Sequence, residues 1–462
     1  MERTTAKKNK YEIDMCNGTI MDKLISFSLP LMLSGILQLM FNAVDIIVVG
    51  RFSGSQALAA VGSTSALINV FTNLFIGISL GANVLTARFY AAGREKEVSE
   101  TVHTAITLAL VSGIVMALVG LVFSKGALAL MGTPDDVIGL SALYMRIYFL
   151  GMPFFMLYNY GAAILRAVGD TKRPLLFLMI AGVINACLNM VLVIVFKLGV
   201  AGVAIATVIS QMISCVLVLR CLCLSESSYR LRFSELAMKG YYLKQIFSVG
   251  VPAGIQSTVI NFSNVLLQSS VNSFGSTAMA GYTAANNLLG FLYVSVNSIT
   301  QACMSFTSQN YGVGKLKRMD RVLADCMILS VAVAVVLGCI CYGFGPEILQ
   351  IYTEDAEVIA CGMEILAYTT ITYFLCGWMD LFPGALRGMG YSAVPMVLSV
   401  IGTVGTRVVW IFGIFPYHRS LAILFISYPA SWIITIVLQV ICFYFVRRRV
   451  HRRSQALAGQ EA

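Results

Sequence analysis

Charge is what this 462-residue sequence has least of: Asp, Glu, Lys and Arg make up 12% of it, while apolar residues make up 58%. A soluble domain carries roughly 25% charged residues, so this balance excludes a water-soluble globular chain and places the protein in a bilayer. Histidine is nearly missing too. His103, His418 and His451 are the only three, and none stands beside a nucleophile motif, so an intramembrane enzyme would have no evident base. Twelve cysteines are present, yet none forms a C-x-x-C pair, and Cys221/Cys223 and Cys339/Cys341 have the wrong spacing for zinc. Most, such as Cys187, Cys215, Cys303 and Cys339, sit in apolar runs and read as small apolar residues. No enzyme, no metal centre and no cofactor is expected.

What is there is a series of long uncharged runs. A helix needs about 20 apolar residues to cross a hydrocarbon core of roughly 30 Å. The run from Gln245 to Gly314 has no charged residue and accommodates two crossings with a turn near Phe274-Gly275-Ser276. Uncharged runs also cover Phe52 to Ala87, Thr104 to Ser124, Ile147 to Leu165, Pro174 to Phe196, Leu198 to Leu219, Cys326 to Pro346 and Ser420 to Val446. Three further spans each contain a charge: Leu24 to Val49 with Asp45, Ile365 to Pro383 with Asp380, and Ala393 to Phe415 with Arg407. The sequence therefore predicts an all-α polytopic membrane protein of twelve transmembrane helices. The first apolar stretch is too long for a signal-peptide core and reads as an uncleaved first helix.

The net charge of +10 would suggest nucleic acid in a soluble protein, but here it is carried on alternate loops. Lys7, Lys8, Lys10 and Lys23 precede the first helix; Arg88, Arg94 and Lys96 follow the second; Arg166, Lys172 and Arg173 follow the fourth. Arg220 to Lys244, Lys315 to Arg321, Arg387 and Arg447-Arg448-Arg449 continue the alternation, whereas Asp135, Asp136, Glu354, Asp355 and Glu357 mark the other side. By the positive-inside rule both termini are cytoplasmic, in a multi-pass protein of the cell membrane with the lipid bilayer as partner and no nucleic acid.

A constant shift of 221 residues aligns the two halves. Leu165-Arg166-x-x-Gly169-x4-Pro174 falls on Leu386-Arg387-x-x-Gly390-x4-Pro395, and Gly54-Ser55-x-Ala57-x-Ala59 on Gly275-Ser276-x-Ala278-x-Ala280. Six helices per half is an even number, so the halves enter the membrane from the same side as two parallel six-helix pseudo-symmetric bundles. Transporters built from such repeats bind substrate at the repeat interface near the midplane and alternate access by rocking. The expected divisions are an N-terminal bundle (1–222), a cytoplasmic linker (223–242), a C-terminal bundle (243–446) and a basic tail (447–462). The linker segment from Phe233 to Tyr242 reads equally well as a short interfacial helix or as loop. A channel would need a symmetric oligomer, whereas this chain supplies its own pair of halves and is expected to act as a monomer.

Several segments together resemble the multidrug and toxic compound extrusion (MATE) family over essentially the whole chain. They are Gln38 with Val44-Asp45 and Gly50-Arg51, then Ala57-Leu58-Ala59-Ala60-Val61, then Leu165 to Pro174, then Gly199 to Gln211, and the second copy Leu386-Arg387-Gly388-Met389-Gly390. The resemblance implies twelve helices in two bundles, a central cavity, and export of small amphipathic, often cationic compounds driven by protons or sodium. Many members pair the first-helix acid with Asn and Asp four residues apart on the fifth helix; here both positions are amides, Asn185 and Asn189. Others carry an acid in helix seven about eight residues after its proline, where counting from Pro252 reaches Ile260. A flippase of lipid-linked oligosaccharide shares the general architecture and is the alternative reading. A major facilitator carrier is disfavoured because the loop Ala91-Ala92-Gly93-Arg94-Glu95-Lys96 lacks that group's motif.

In a duplicated scaffold, polar residues present in one copy need a reason beyond folding. Asp45 faces Leu266 in the repeat, Asp380 faces Asn159, Asn189 faces Trp410, and Arg407 faces Ala186. An ionisable residue at mid-helix costs roughly 2.5–3.5 kcal/mol on insertion scales and marks a functional site by default. Asp45, about 27 Å along the first helix from Phe27 at roughly 1.5 Å per residue, is the expected coupling-cation site, with Asn185 and Asn189 as uncharged ligands. Its structural alternative is neutralisation by Arg146. Asp380, Arg407, Tyr158 and Gln38 are the expected substrate-cavity residues. Arg407 also reads as a donor to carbonyls or as a counter-ion to Asp380, although about 20 Å and 9 Å from the cytoplasmic end their depths differ. Arg166 and Arg387 read as anchors of helix-end turns, and Met156, Tyr158, Tyr160 and Tyr293 as cavity lining or helix packing.

Overall fold

A computed structural model describes residues 11–458, and the described residues are helical almost throughout. Among the described residues twelve long helices follow one another, with a short helix Gly345–Gln350 before the tenth: α1 Met21–Phe52, α2 Ser55–Ala91, α3 Glu95–Leu130, α4 Asp135–Leu150 continued by Met152–Ala167, α5 Lys172–Asn189 continued by a π-helical turn Met190–Val195, and α6 Gly199–Cys223. Then come α7 Gly240–Asn272, α8 Ser276–Gly312, α9 Leu316–Gly343, α10 Ala356–Thr369 continued by Tyr373–Gly388, α11 Ala393–Ile414, and α12 Leu421–Ala458. Ten pass as membrane spans by length and hydropathy when each bent pair is taken as one. The other two, α7 and α8, are 33 and 37 residues long and are diluted by serines, asparagines and glutamines.

Several sequence-predicted ends move: α3 begins at Glu95 rather than Thr104 and α9 at Leu316 rather than Cys326. The fourth span begins at Asp135 rather than Ile147, because Asp135 and Asp136 occupy the first turn, where carboxylates favour the exposed N–H groups. It then bends by 47° at Gly151, where Pro153 removes a backbone donor. The tenth begins at Ala356, capped by the Asp355 carboxylate accepting from the Glu357 amide at 2.9 Å, and bends by 50° before Tyr373. The last helix runs past Val446 through the arginines to Ala458. The segment Phe233 to Tyr242 is a single 3-10 turn, Phe233–Glu235, followed by loop and the start of α7. Lys7, Lys8 and Lys10 lie outside the described residues.

The repeat is visible in the backbone. Gly54 and Gly275 have φ of 86° and 98°, Gly93 and Gly314 69° and 72°, and Gly169 and Gly390 97° and 91°, so the same turns close the same helices in both copies. Side-chain-bearing residues seldom adopt these angles.

The chain folds as two compact units. Among the described residues one comprises 11–14 together with Leu33–Val251, the other Met15–Met32 together with 252–458. The N-terminal segment thus contributes to each. In the first unit the Glu12 carboxylate accepts from the Tyr90 and Tyr229 hydroxyls, both at 2.7 Å. Burial, with the Glu12 charge next to it, holds the Tyr229 phenol above its ordinary range. In the second unit Lys315 donates to the Cys16 carbonyl at 2.9 Å, and Arg318 to those of Gly18 and Asn17 at 2.8 and 3.0 Å.

Gly169 is the tightest point of the first attachment: besides its positive φ, a Cβ there would stand 2.6 Å from the Ile13 nitrogen and oxygen. Gly169→Ala is expected to destabilise the first unit by about 1–3 kcal/mol, through strain and displacement of the Ile13 backbone. The thermal unfolding midpoint of the detergent-purified protein should fall by a few degrees, whereas Gly126→Ala, where a Cβ meets nothing within 4 Å, should leave it in place. Equal midpoints for the two variants would refute this account.

Candidate functional site

Within the first unit, α1, α5 and α6 converge on Asp45. The residue is only 9% exposed, in a helix whose other buried residues are almost all apolar. Asn189, the last α-helical residue of α5 before its π-helical turn, donates its Nδ2 to Asp45 Oδ1 and, at 3.1 Å, to Asn185 Oδ1. The Thr207 hydroxyl on α6 reaches Asp45 Oδ2 at 3.4 Å while also donating to the Val203 carbonyl at 3.0 Å. Tyr144 and Tyr148 of α4 lie within electrostatic reach of the carboxylate. The three residues expected at the coupling site are therefore in one cluster, and Thr207 joins them.

No ion pair involves Asp45 among the described residues. Arg146, the sequence's alternative partner, is exposed instead. The cluster brings together the two Asp45 carboxylate oxygens, the Asn185 and Asn189 amide oxygens and the Thr207 hydroxyl. Asn189 Oδ1 is buried without a hydrogen-bond partner, so a rotation of that amide would turn an acceptor toward the carboxylate. Such a set, all oxygen with one formal charge, suits a proton on the carboxylate or a hard monovalent cation, and holds no cluster of His, Cys, Asp and Glu of the kind that binds a transition metal.

The substrate-cavity candidates divide. Tyr158 is buried and donates to the Pro174 carbonyl at 3.2 Å, and Met156 and Tyr160 are sealed into the core of the first unit, which is packing. Gln38 is exposed on α1. In the second unit Asp380 is half-buried on α10, with Arg387 and Tyr293 acting on it electrostatically. Arg387, expected to anchor a turn, reaches across to Gln256 Oε1 on α7 at 2.6 Å. Arg407 does not pair with Asp380. It donates to Ser263 Oγ and Asn264 Oδ1 of α7 at 2.8 and 2.7 Å and lies over the Tyr428 ring of α12. Thr207, Gln256, Ser263, Asn264 and Tyr428 do not stand out in the sequence; a neutral polar residue in a membrane helix gives too weak a signal alone, although Thr207 and Tyr428 occupy equivalent repeat positions.

The MatE family model matches residues 30–191 and 252–412, one copy in each half. The chain belongs to the MATE family. It is 32% identical over 434 residues to the probable multidrug resistance protein YoeA of Bacillus subtilis (strain 168), covering 92% of this chain and 93% of that protein. Multidrug export protein MepA of Staphylococcus aureus (strain NCTC 8325 / PS 47) is 22% identical over 382 residues, with 82% and 84% covered. Among solved structures, the outward-facing conformation of a multidrug resistance MATE family transporter of the MOP superfamily superposes with a TM-score of 0.87 at 19% identity, over 97% of this chain and all of that one. The protein is thus a multi-pass membrane transporter with the twelve-helix MATE fold.

In this MATE transporter Asn189 is the principal support of the buried carboxylate. Asn189→Ala leaves only the longer Thr207 contact and is expected to destabilise the protein by about 1–3 kcal/mol, while Thr207→Val, whose hydroxyl already serves the Val203 carbonyl, should change stability by under about 1 kcal/mol. Thermal unfolding of the purified variants measures both; a larger loss for Thr207→Val would reverse the assignment.

Proposed function

We propose that the protein is a cation-coupled antiporter that exports small amphipathic, often cationic organic compounds by alternating access, with Asp45 as the coupling site. The observation that carries this reading is a lone, nearly buried carboxylate held by neutral donors and by no basic residue. A charged group so placed is unfavourable unless it is neutralised, which makes it sensitive to the supply of a small cation. With Asn rather than Asp at position 189, the cluster offers one charge, and protonation is favoured over sodium as the coupling event. The names of the multidrug relatives support drug export over the flippase alternative. Asp380, in the second unit, contributes to the substrate cavity, and the protein works as a monomer without enzymatic activity.

The alternation of basic loops supports a cell-membrane protein with both termini cytoplasmic, which puts Asp45 in the outer half of α1, where an exporter would collect an external cation. In a variant freed of native cysteines, Glu235→Cys in the linker should stay unlabelled when intact cells meet an impermeant thiol reagent and become labelled once they are opened. Labelling in intact cells would invert the topology.

Asp45→Asn mimics the neutral carboxyl. It should insert normally and bind a cationic dye with an affinity close to wild type. Efflux from proteoliposomes driven by a pH gradient or a sodium gradient, imposed separately, should fall by about tenfold or more, as expected for loss of the one group that couples the two fluxes. Wild-type efflux in that variant would remove Asp45 from the mechanism.

A further inference from the structure

A second buried charge, Arg407, lies outside the Asp45 cluster. It stands on a short α segment of α11, Thr406–Val409, between two π-helical runs, Val400–Gly405 and Trp410–Ile414. π-Helical turns inside α-helices are frequent at functional sites. The side chain is 3% exposed. Its Nη1 donates to Ser263 Oγ and Asn264 Oδ1, its guanidinium carbon stands 4.6 Å from the centre of the Tyr428 ring, and its Nε is buried with no hydrogen-bond partner. No carboxylate lies within ion-pair distance among the described residues, and the groups acting on it most strongly are Tyr428, Cys376, Tyr282 and Tyr373, none of them an acid. A guanidinium held only by neutral oxygens and a ring is a buried charge without a counter-ion.

The repeat shows where this charge sits. The shift of 221 residues carries Thr207 onto Tyr428, Asn189 onto Trp410 and Asn185 onto Thr406, the residue next to Arg407, while Ser263 and Asn264 fall on Asn42 and Ala43, just before Asp45. The same three helices of the repeat therefore enclose a lone carboxylate in the first unit, from α1, α5 and α6, and a lone guanidinium in the second, from α7, α11 and α12. Around the guanidinium the second unit packs buried aromatic rings: Tyr282 stacks on Phe425 at 6.1 Å, Tyr428 packs on Trp432 at 5.8 Å, and the Tyr282 and Tyr428 hydroxyls meet at 3.2 Å.

We infer that Arg407 is an oxyanion-recognition site, and that the solutes this transporter handles include amphipathic compounds bearing a carboxylate, zwitterions among them. The inference rests on the exporter reading for its substrate, and on the second unit's geometry for its chemistry. A guanidinium matches a planar carboxylate with paired donors, and the adjoining rings suit an aromatic or aliphatic body. A lipid headgroup is a poorer match, since Arg407 stands roughly 20 Å along α11 from the basic end, at about 1.5 Å per residue, near mid-span rather than at headgroup level. A purely structural arginine would tie α11 to α7 and α12 and would be indifferent to the charge of a bound solute.

The test compares two dyes with one fluorophore, rhodamine B, which carries a free carboxylate, and its ethyl ester, which does not. Binding to the full-length protein in neutral detergent is followed by fluorescence anisotropy, with circular dichroism and gel filtration to verify folding. Wild type should bind the acid more tightly than the ester. Arg407→Gln, which keeps hydrogen-bonding capacity but no charge, should weaken the acid by about tenfold or more and the ester by no more than about twofold, while Arg407→Lys keeps part of the preference. Equal losses for both dyes, or no loss for either, would overturn the inference. Should Arg407→Gln fail to fold, the inference falls equally if wild type lacks a preference for the acid or if Arg407→Lys leaves that preference whole. Because binding is read without a gradient, failure of driven efflux would count against the exporter reading and leave this comparison standing.

Discussion

Hydrocarbon offers backbone N–H and C=O groups no hydrogen-bond partner, and every other feature of this protein is arranged within that constraint. It explains why the membrane spans are helical; the same glycines close several of the turns between them in both copies. It also explains why departures from α geometry are few and placed. A bent α4, a bent α10 and π-helical runs in α5 and α11 each loosen the regular ladder. All three π-helical runs adjoin the residues with the strongest claim to function: Asn189 immediately precedes one, and Arg407 lies between the other two. A wider helical turn displaces the side chains next to it from their regular stacking, which lets a polar group be aimed inward without breaking the span.

The same constraint makes most of the fold legible in the sequence. A span must be uncharged for about 20 residues, so absence of charge locates the helices, and the constant shift locates the repeat. Ends are harder. Asp135 and Asp136 read as loop acids if charge is assumed to close a span, whereas at a helix N-terminus a carboxylate is stabilised and the helix begins on it. The arginines after Val446 mislead in the same way, since basic residues are tolerated in a helix that has left the hydrocarbon.

The site is legible where a residue breaks the apolar rule by carrying a formal charge. Asp45, Asp380 and Arg407 stand out for that reason, and Asn185 with Asn189 because a family motif surrounds them. Partnerships do not. Arg146 and Arg407 are both basic residues in search of an acid, and sequence does not say that the first is exposed and the second is held by Ser263, Asn264 and a ring. Separation along the chain gives depth, but which face of a helix meets which neighbour depends on packing. Thr207 shows the limit best: a threonine on a membrane helix bonds its own preceding turn by default, and only the fold reveals the second contact, to Asp45.

Duplication followed by divergence accounts for why each half carries its own charge. Two copies with identical polar residues would place the same acid in both, and a cation taken up by one would have an equal claim on the other. Here the copies keep the turn glycines and exchange the charge: Asp45 against Leu266, Ala186 against Arg407. A buried acid favours a cation and a buried base an anion, so the two clusters, built by equivalent helices, do not compete for one species. The backbone remained common because both copies must satisfy the same hydrogen-bonding demand of the bilayer. The scaffold supplies the symmetry, and the single uncompensated charge in each of these clusters supplies the difference between the halves.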